Sequence, residues 1–248
     1  MIRVTDLNDI RYIPCLLDYI SSDSTEPIYL SAKGRGFDHP DGIALLQVIF
    51  LDQVFILDPV KHGHRLFDVQ SETEPLHTLR SIIQDPGRLK VTFDIRSLSN
   101  YLLREFNIVI DGALDLQILD AQRFVNDDSP YLASLSTAVL RSHGRKAPKW
   151  IQRKVTERIY KARSFVDEKG GNSAPLYDRP LSRKVIFYCS LDAILLPYMM
   201  AAFVAAPERS RSDALRASRL RVLNAISEGF ILNGPERKLK EAEQYLSA

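Results

Sequence analysis

The sequence predicts an α/β domain: a mixed sheet, built from an antiparallel meander plus parallel strands, flanked by helices and followed by a helical C-terminal part. Three observations support this prediction. Three short β-rich runs follow one another between residues 28 and 57 with brief connections. Strand and helix patterns then alternate as far as residue 119, and from Pro130 onward the apolar spacing is mainly helical.

The N-terminal segment has apolar residues at helical spacing over residues 4–20. This spacing predicts a first helix with its cap at Thr5 or Asp6. Pro14 predicts a break or a restart within that helix.

The predicted sheet begins with strands over residues 28–32, 43–50 and 54–57. The connections between them are too short for crossover helices, so we expect a three-stranded antiparallel meander. A loop that starts at Gly34 and ends at Gly42 joins the first two strands.

Strand and helix units follow the meander. A helix that ends at the Asp85-Pro86-Gly87 turn precedes the next strand, and Asp94 or Ser97 is expected to cap the helix after it. The predicted elements are a helix over 76–83, a strand over 89–93, a helix over 97–106, a short strand over 108–110, and a strand with a helical start over 113–119.

Composition places the chain among ordinary globular proteins, since 45% of its 248 residues are hydrophobic and 26% are charged. We expect one domain over residues 1–205 and a helical extension over 206–248 packed on it. No apolar run reaches the roughly 18 residues of a membrane span, which predicts an intracellular protein, cytoplasmic or nuclear, without a membrane partner. The two cysteines are too few for a disulfide scaffold or a zinc site, although a single bridge remains open.

Charge is distributed unevenly along the chain. Residues 1–140 contain 12 Lys/Arg and 20 Asp/Glu, whereas residues 141–248 contain 21 and 11. The most basic stretch, Arg141–Arg163, predicts either a surface that follows a phosphate backbone or an ordinary solvated helix face. The candidate nucleic-acid-binding residues are Arg145, Lys146, Lys149, Arg153 and Lys154.

Three blocks then occur in a recognisable order: LSAKGRGFDHPDGIALLQV, KVTFDIRSLSNYLLREFNI with ALDLQ, and GGNSAPLYDRPL with VIFYCSLDAILLPYM. With these blocks the chain resembles the 3′–5′ exonuclease domain of the ribonuclease D type, which has a ribonuclease H-like fold. The resemblance covers most of residues 4–203. The last block contains the family's Tyr-x-x-x-Asp motif at Tyr188 and Asp192.

The resemblance implies two-metal nuclease chemistry, in which four carboxylates hold two Mg²⁺ or Mn²⁺ ions and a tyrosine orients the attacking water. The four carboxylate positions fall at Ser31, Lys33, Leu98 and Asp192. Three of them have lost the charge, so Tyr188 and Asp192 are predicted to be remnants of a catalytic site that no longer holds metal. We also predict that Lys33 pairs with Asp192 in place of the metal, the alternative being that Lys33 points to solvent.

Other polar groups receive more modest interpretations. Asp94 is expected to be a helix cap or a supporting group, and Asp115 a structural residue. The loop acids Asp38 and Asp41 are expected to form turns, and Cys189 to be a buried, inert thiol.

Three functions remain open at this point. The first is a 3′–5′ exonuclease-domain protein that has lost catalysis and works as an RNA-binding or adaptor module, with single-stranded RNA, protein partners or a second copy as partners and no cofactor. The second is an active exonuclease that requires Mg²⁺ or Mn²⁺ and uses Asp94, Asp192 and a loop acid. The third is a pure protein-interaction module.

Overall fold

The structure is a computed structural model that describes residues 3–7, 9–35, 42–74, 76–124, 129–143, 147–166, 170–203 and 208–230. A six-stranded mixed sheet crosses it in the order β1-β4-β3-β2-β5-β6. The meander β2-β3-β4 is antiparallel, whereas β1 pairs with β4, β5 with β2 and β6 with β5 in parallel, which confirms the predicted fold class. The strands are β1 (Arg3–Leu7), β2 (Ile28–Gly34), β3 (Ile43–Phe50), β4 (Gln53–Leu57), β5 (Lys90–Thr92) and β6 (Ala113–Asp115).

Helices cover both faces of the sheet, and their share increases towards the C-terminal end of the described chain. They are α1 (Ile13–Ser21), α2 (Pro59–His62), α3 (Arg65–Asp68), α4 (Leu79–Gln84), α5 (Ile95–Phe106), α6 (Leu116–Arg123), α7 (Leu135–Ser142), α8 (Lys149–Phe165), α9 (Arg183–Phe203) and α10 (Glu208–Ala225). Short 3₁₀ turns lie at Ile10–Tyr12 and Ala174–Leu176.

The central strand β3 is buried along its whole length. Alternate side chains point to opposite faces of a strand, so Ile49 contributes to one apolar cluster and Phe50 to the other. The cluster on the Ile49 side includes α6 to α10, and the cluster on the Phe50 side includes α1, α4 and α5. Two layers of helices therefore sandwich the sheet.

The predicted N-terminal helix over residues 4–20 is wrong in its first part. Residues Arg3–Leu7 form the edge strand β1 beside β4, and neither Thr5 nor Asp6 caps a helix. The helix α1 starts only at Ile13, with Pro14 in its first turn. Proline is tolerated there because the backbone N–H groups of the first turn have no intrahelical acceptor. Pairing with the edge of β4 overrides the local helical spacing.

Two other predictions need correction. Residues 108–110 belong to no strand, and α4 begins at Leu79 because Thr78 and Ser81 form a capping box. The remaining predicted strands and helices are present, and both cysteines are free thiols.

Asp115, at the end of β6, organises the start of α5. Its carboxylate accepts hydrogen bonds from the backbone N–H groups of Asp94 (2.9 Å) and Ile95 (2.9 Å), and from that of Gln117 (2.9 Å). Asp94 itself makes no side-chain cap and adopts a left-handed conformation (φ 59°, ψ 73°), which costs free energy in a non-glycine residue. The cap is therefore supplied from a neighbouring strand, and Asp115 has the structural role expected of it.

The helix α10 is bound to the domain by charge as well as by apolar contacts. Arg221 donates to Asp115 at 2.5 Å, and both side chains are 0% exposed. Ser218, on the same helix, accepts the Asp115 backbone N–H at 2.8 Å. The described part of the predicted extension thus packs on α5, α6 and β6, while a boundary at residue 205 stays a prediction.

One helix in the described part of the chain, α9, is long and apolar enough by composition to cross a membrane, with a window of mean hydropathy 1.7. Of that window, 61% is buried inside the protein. This burial is the pattern of a core helix.

The Asp115–Arg221 pair gives the first prediction. Arg221→Met keeps the side chain's length but leaves the Asp115 charge unpaired in the interior. We expect it to lower the free energy of unfolding by about 3–5 kcal/mol, measured by urea denaturation. Arg219→Met, on the exposed side of the same helix, should change it by less than about 0.5 kcal/mol. Equal losses of stability in the two variants would contradict the structural role of the Asp115–Arg221 pair.

Candidate functional site

Two strand residues and two helices converge on the carboxylate of Asp192. Ser31 and Lys33 are two positions apart on β2 and so lie on the same face of the sheet. Asp192 lies in the middle of α9, one turn after Tyr188. The helix α8 packs against α9 and brings Arg158 to the same point.

The Asp192 carboxylate accepts three side-chain hydrogen bonds. The ammonium of Lys33 and the hydroxyl of Ser31 (2.9 Å) both donate to Oδ2, and Arg158 Nε donates to Oδ1 at 2.6 Å. The side chains of Lys33 and Asp192 are only 7% and 5% exposed. The predicted Lys33–Asp192 pair is therefore present, and Arg158 makes it a buried triad.

Electrostatics keeps all three groups ionised. Burial by itself raises the pKa of Asp192, but the charges of Arg158 and Lys33 outweigh burial and hold it well below its ordinary value. Burial likewise lowers the pKa of Lys33, and Asp192 more than reverses this effect. Arg158 follows the same pattern, with its pKa raised by Asp192 against the effect of burial. The triad therefore carries two positive charges and one negative charge at neutral pH.

Tyr188 contacts the cation of the Lys33–Asp192 pair. The Lys33 Nζ atom lies 4.9 Å from the Tyr188 ring centroid, a cation–π distance. Its ring also stacks on Phe165, with 5.1 Å between the centroids. Tyr188 is 4% exposed, so it is part of the packed interior of the helical layer.

The residues at this point do not fit a pair of divalent cations. Mg²⁺ and Mn²⁺ need several oxygen ligands, whereas Lys33 brings a positive charge and Leu98 packs in the apolar cluster around α5. The oxygens of Asp192 already accept bonds from two cations and a hydroxyl. A metal ion at Asp192 would have to displace Lys33 and Arg158 and leave their charges in the interior.

Sequence reasoning did not connect Arg158 with the site. It counted Arg158 only as part of the basic stretch, yet the structure turns this side chain inward, 20% exposed. One signal was available, because Arg158 lies on the apolar stripe that Ile151, Val155 and Ala162 form at helical spacing. A charged side chain on a buried stripe is costly unless an opposite charge pairs with it, so this position indicates a buried acid nearby.

Gln47 is a second residue whose position near the site was not foreseen. It is directly opposite Ser31 in the β2–β3 ladder and is fully buried. Neither amide atom of Gln47 has a hydrogen-bond partner among the described residues. Residues opposite one another in a sheet share a face, so Gln47 lies on the same face as Ser31.

Gly34 and Gly42 flank the connection between β2 and β3. A Cβ on Gly42 (φ 47°) would lie 2.2 Å from the Tyr101 ring, and a Cβ on Gly34 would lie 2.1 Å from the carbonyl oxygen of Gly42, so neither position accommodates a side chain. Tyr177 donates to the same carbonyl at 2.8 Å and accepts the Arg35 N–H at 2.9 Å. Tyr177, in the third sequence block, thus connects both ends of the β2–β3 connection in the first block.

The predicted nucleic-acid-binding residues fall on α8 where they are described. Lys149 and Arg153 are exposed, and Lys154 is half-buried. Glu157 accepts from Arg153 Nε (3.0 Å) and from Lys154 Nζ (2.8 Å), so part of this positive charge is neutralised locally. Arg145 and Lys146 lie outside the described residues.

The acids proposed for a rearranged metal site are not brought together in the described part of the chain. Asp94 pairs with Arg96 at 2.7 Å, and Asp192 belongs to the triad. Asp38 and Asp41 lie outside the described residues. No group of three or more His, Cys, Asp or Glu side chains suited to a metal ion occurs among the residues that are described.

Cys189 follows the predicted pattern. It is fully buried on α9, and burial raises the pKa of its thiol to about 12. A thiol with this pKa stays protonated at neutral pH and is a poor nucleophile.

The triad predicts a specific pH dependence of stability. Asp192→Asn removes the only negative charge between Lys33 and Arg158, so we expect a loss of about 3–5 kcal/mol at pH 7 in urea denaturation. Because the folded-state pKa of Asp192 is lowered, its contribution is complete above the unfolded value near 4 and is lost as the pH falls further. The difference between wild type and variant should therefore shrink below about pH 4. Asp178→Asn, at an exposed acid, serves as the control, and a difference independent of pH would refute the assignment.

Comparison with known sequences gives one group of relatives, and no family model matches the chain. The human piRNA biogenesis protein EXD1 is 26% identical over 176 residues, which are 69% of this chain and 31% of EXD1. The mouse protein of the same name is 25% identical over 126 residues, 49% of this chain and 20% of its own length. The chain thus corresponds to less than a third of the length of these relatives.

Solved structures match over almost the whole chain. RNase D from Trypanosoma brucei, in complex with RNA U12, superposes with a TM-score of 0.70 at 14% identity and covers 98% of this chain and 79% of its own. Escherichia coli RNase D, described as an exoribonuclease involved in structured RNA processing, gives a TM-score of 0.59 at 15% identity over 91% of this chain and 51% of its own. The resemblance found in the sequence is confirmed, and the chain has the fold of the ribonuclease D-type 3′–5′ exonuclease domain.

Proposed function

We propose that this chain is a 3′–5′ exonuclease-domain protein that has lost catalysis and acts as an RNA-binding or adaptor module. The observation that carries the proposal is the triad at Asp192. At the point where the resemblance places a metal-binding carboxylate, two protein cations and a hydroxyl occupy the carboxylate oxygens.

The physical argument is one of charge. A two-metal nuclease needs a strongly negative site that holds two dications beside the scissile phosphate. Here the triad has a net charge of one positive unit, so it repels the ions that the chemistry requires. Lys33 and Arg158 replace the metal as structural counter-ions of Asp192, which keeps the scaffold intact without the reaction.

RNA is the proposed ligand for two reasons. The relatives are an RNase D solved with RNA and a piRNA biogenesis protein, so their names connect this fold with RNA. In addition, Lys149 and Arg153 place positive charge on the outer side of α8, with the half-buried Lys154 at its border, where a phosphate backbone has access.

The proposed setting is intracellular, in the cytoplasm or the nucleus, as part of an RNA-processing assembly. Single-stranded RNA is the proposed ligand class, and a protein partner or a second copy of the chain completes the adaptor role.

The test of lost catalysis is a nuclease assay. Purified protein is incubated with a 5′-labelled single-stranded RNA in Mn²⁺ or in EDTA, and the products are run on native and denaturing gels. We expect full-length RNA under both conditions and a shifted band on the native gel. Electron paramagnetic resonance of added Mn²⁺ should show no tightly bound ion.

The contrary result has a clear form. A ladder that shortens from the 3′ end in Mn²⁺, and that disappears in Asp192→Asn, would mean that the chain is an active exonuclease. Folding of the variant is checked by circular dichroism. Intact RNA without a shift would refute RNA binding and favour a protein-interaction module.

The role of the α8 cations is tested through Glu157. Glu157→Gln releases Arg153 and Lys154 from their ion pairs, so we expect tighter RNA binding and a steeper salt dependence, by about 0.7 in log–log slope for each added phosphate contact. The triple variant Lys149→Ala, Arg153→Ala, Lys154→Ala should act in the opposite direction. Glu105→Gln removes the same charge from an exposed position on α5 and should change neither. An unaltered slope in both α8 variants would place RNA elsewhere.

A further inference from the structure

The outer side of α8 carries aromatic rings as well as cations. Trp150 is the single tryptophan of the chain and is 55% exposed, and Tyr160 on the same helix is 66% exposed. Positions 150, 153, 157 and 160 follow helical spacing of three and four residues, so they share one face of α8. Arg158, by contrast, points inward to Asp192.

Trp150 is one member of a three-ring cluster. Its ring meets Tyr198 of α9 edge to face, with centroids 5.8 Å apart, and Tyr198 stacks on His143 at 4.0 Å with an interplanar angle of 23°. Burial, and then Arg123, lower the pKa of His143, so its ring is neutral at pH 7. The cluster supports the Trp150 ring from one side, while more than half of its surface faces solvent.

Cations surround these rings. Lys149 adjoins Trp150 in the chain and is exposed, and Arg153 lies one turn further on with 75% of its side chain exposed. Lys161 lies 5.7 Å from the ring centroid of Tyr160. An exposed ring beside exposed cations suits a ligand with flat apolar groups and negative charges at regular intervals, provided that the ligand's charge competes with Glu157 for Arg153.

Resting on the proposed function, we propose that Trp150, supported by Tyr198 and His143, is a stacking platform for an unpaired base of single-stranded RNA, with Lys149 and Arg153 contacting the adjoining phosphates. A base stacked on an aromatic ring contributes affinity with little dependence on sequence, because every base has a π face. The platform lies on the outer side of α8, and the inner side of the same helix carries Arg158, which binds Asp192. RNA binding on this surface would therefore not require entry to the Asp192 site.

Trp150 is its own reporter, since no other tryptophan contributes to the fluorescence. The full chain is titrated with a single-stranded oligoadenylate of twelve nucleotides, with an abasic strand of equal phosphate number and with oligoglutamate. Tryptophan fluorescence and the anisotropy of a 5′-labelled strand are recorded together. We expect oligoadenylate to quench the fluorescence and the other two probes to leave it nearly unchanged.

Trp150→Ala should weaken oligoadenylate binding by roughly fivefold or more without changing the salt slope, and should leave binding of the abasic strand unchanged. Trp150→Phe keeps a ring and should retain most of the affinity, which separates stacking from a folding defect. Tyr12→Ala removes a ring of similar exposure (57%) from the other side of the sheet and should have no effect.

The outcomes distinguish the platform from the proposed function. RNA binding seen by anisotropy without quenching, and unaffected by Trp150→Ala, would overturn the platform and leave RNA binding intact. Equal quenching by the abasic strand would overturn stacking, and equal quenching by oligoglutamate would assign the surface to an acidic protein instead. Absence of any anisotropy change would refute the proposed function and the platform with it.

Discussion

A carboxylate that leaves water must be matched by cations and hydrogen-bond donors, and this requirement organises the helical layer of the fold. Asp192 is the central case, because β2, α8 and α9 all meet at its two oxygens. The same solution recurs at other acids that are almost fully buried. The pairs are Asp58–Arg179, Asp115–Arg221 and Asp120–Arg141. Asp58–Arg179 and Asp115–Arg221 join segments 121 and 106 residues apart, whereas Asp120–Arg141 joins the consecutive helices α6 and α7, so the pairs help to specify which elements pack together.

These pairs change the meaning of the uneven charge along the chain. Asp58, Asp115 and Asp120 belong to the acidic first part, with 12 Lys/Arg and 20 Asp/Glu over residues 1–140, and their arginine partners belong to the basic second part. Some of the positive charge of residues 141–248 is therefore used inside the fold. Among the residues that the structure describes, cations on outer helix faces, such as Lys149, are available to a partner. The net charge of residues 141–248 is therefore larger than the positive charge that this part of the chain presents to solvent.

The sequence was sufficient for the meander, for the strand and helix units and for the Lys33–Asp192 pair, because buried strands and matched motif positions leave strong patterns. It was insufficient where distant contacts override local preference. Residues Arg3–Leu7 have helical spacing but complete the edge of β4, and the helix after Asp94 is capped by Asp115 from another strand. Arg158 was missed because a basic stretch hides one inward residue among many outward ones.

The Asp115–Arg221 contact also bears on how the protein is made. The acid is synthesised 106 residues before the arginine that neutralises it. During synthesis β6 and the start of α5 precede α10, so the Asp115 carboxylate has its backbone N–H donors before Arg221 is available to neutralise its charge. The domain therefore reaches its complete set of contacts only after α10 has been synthesised, and we expect nascent chains that stall before residue 221 to be incomplete folds that chaperones and proteases can recognise.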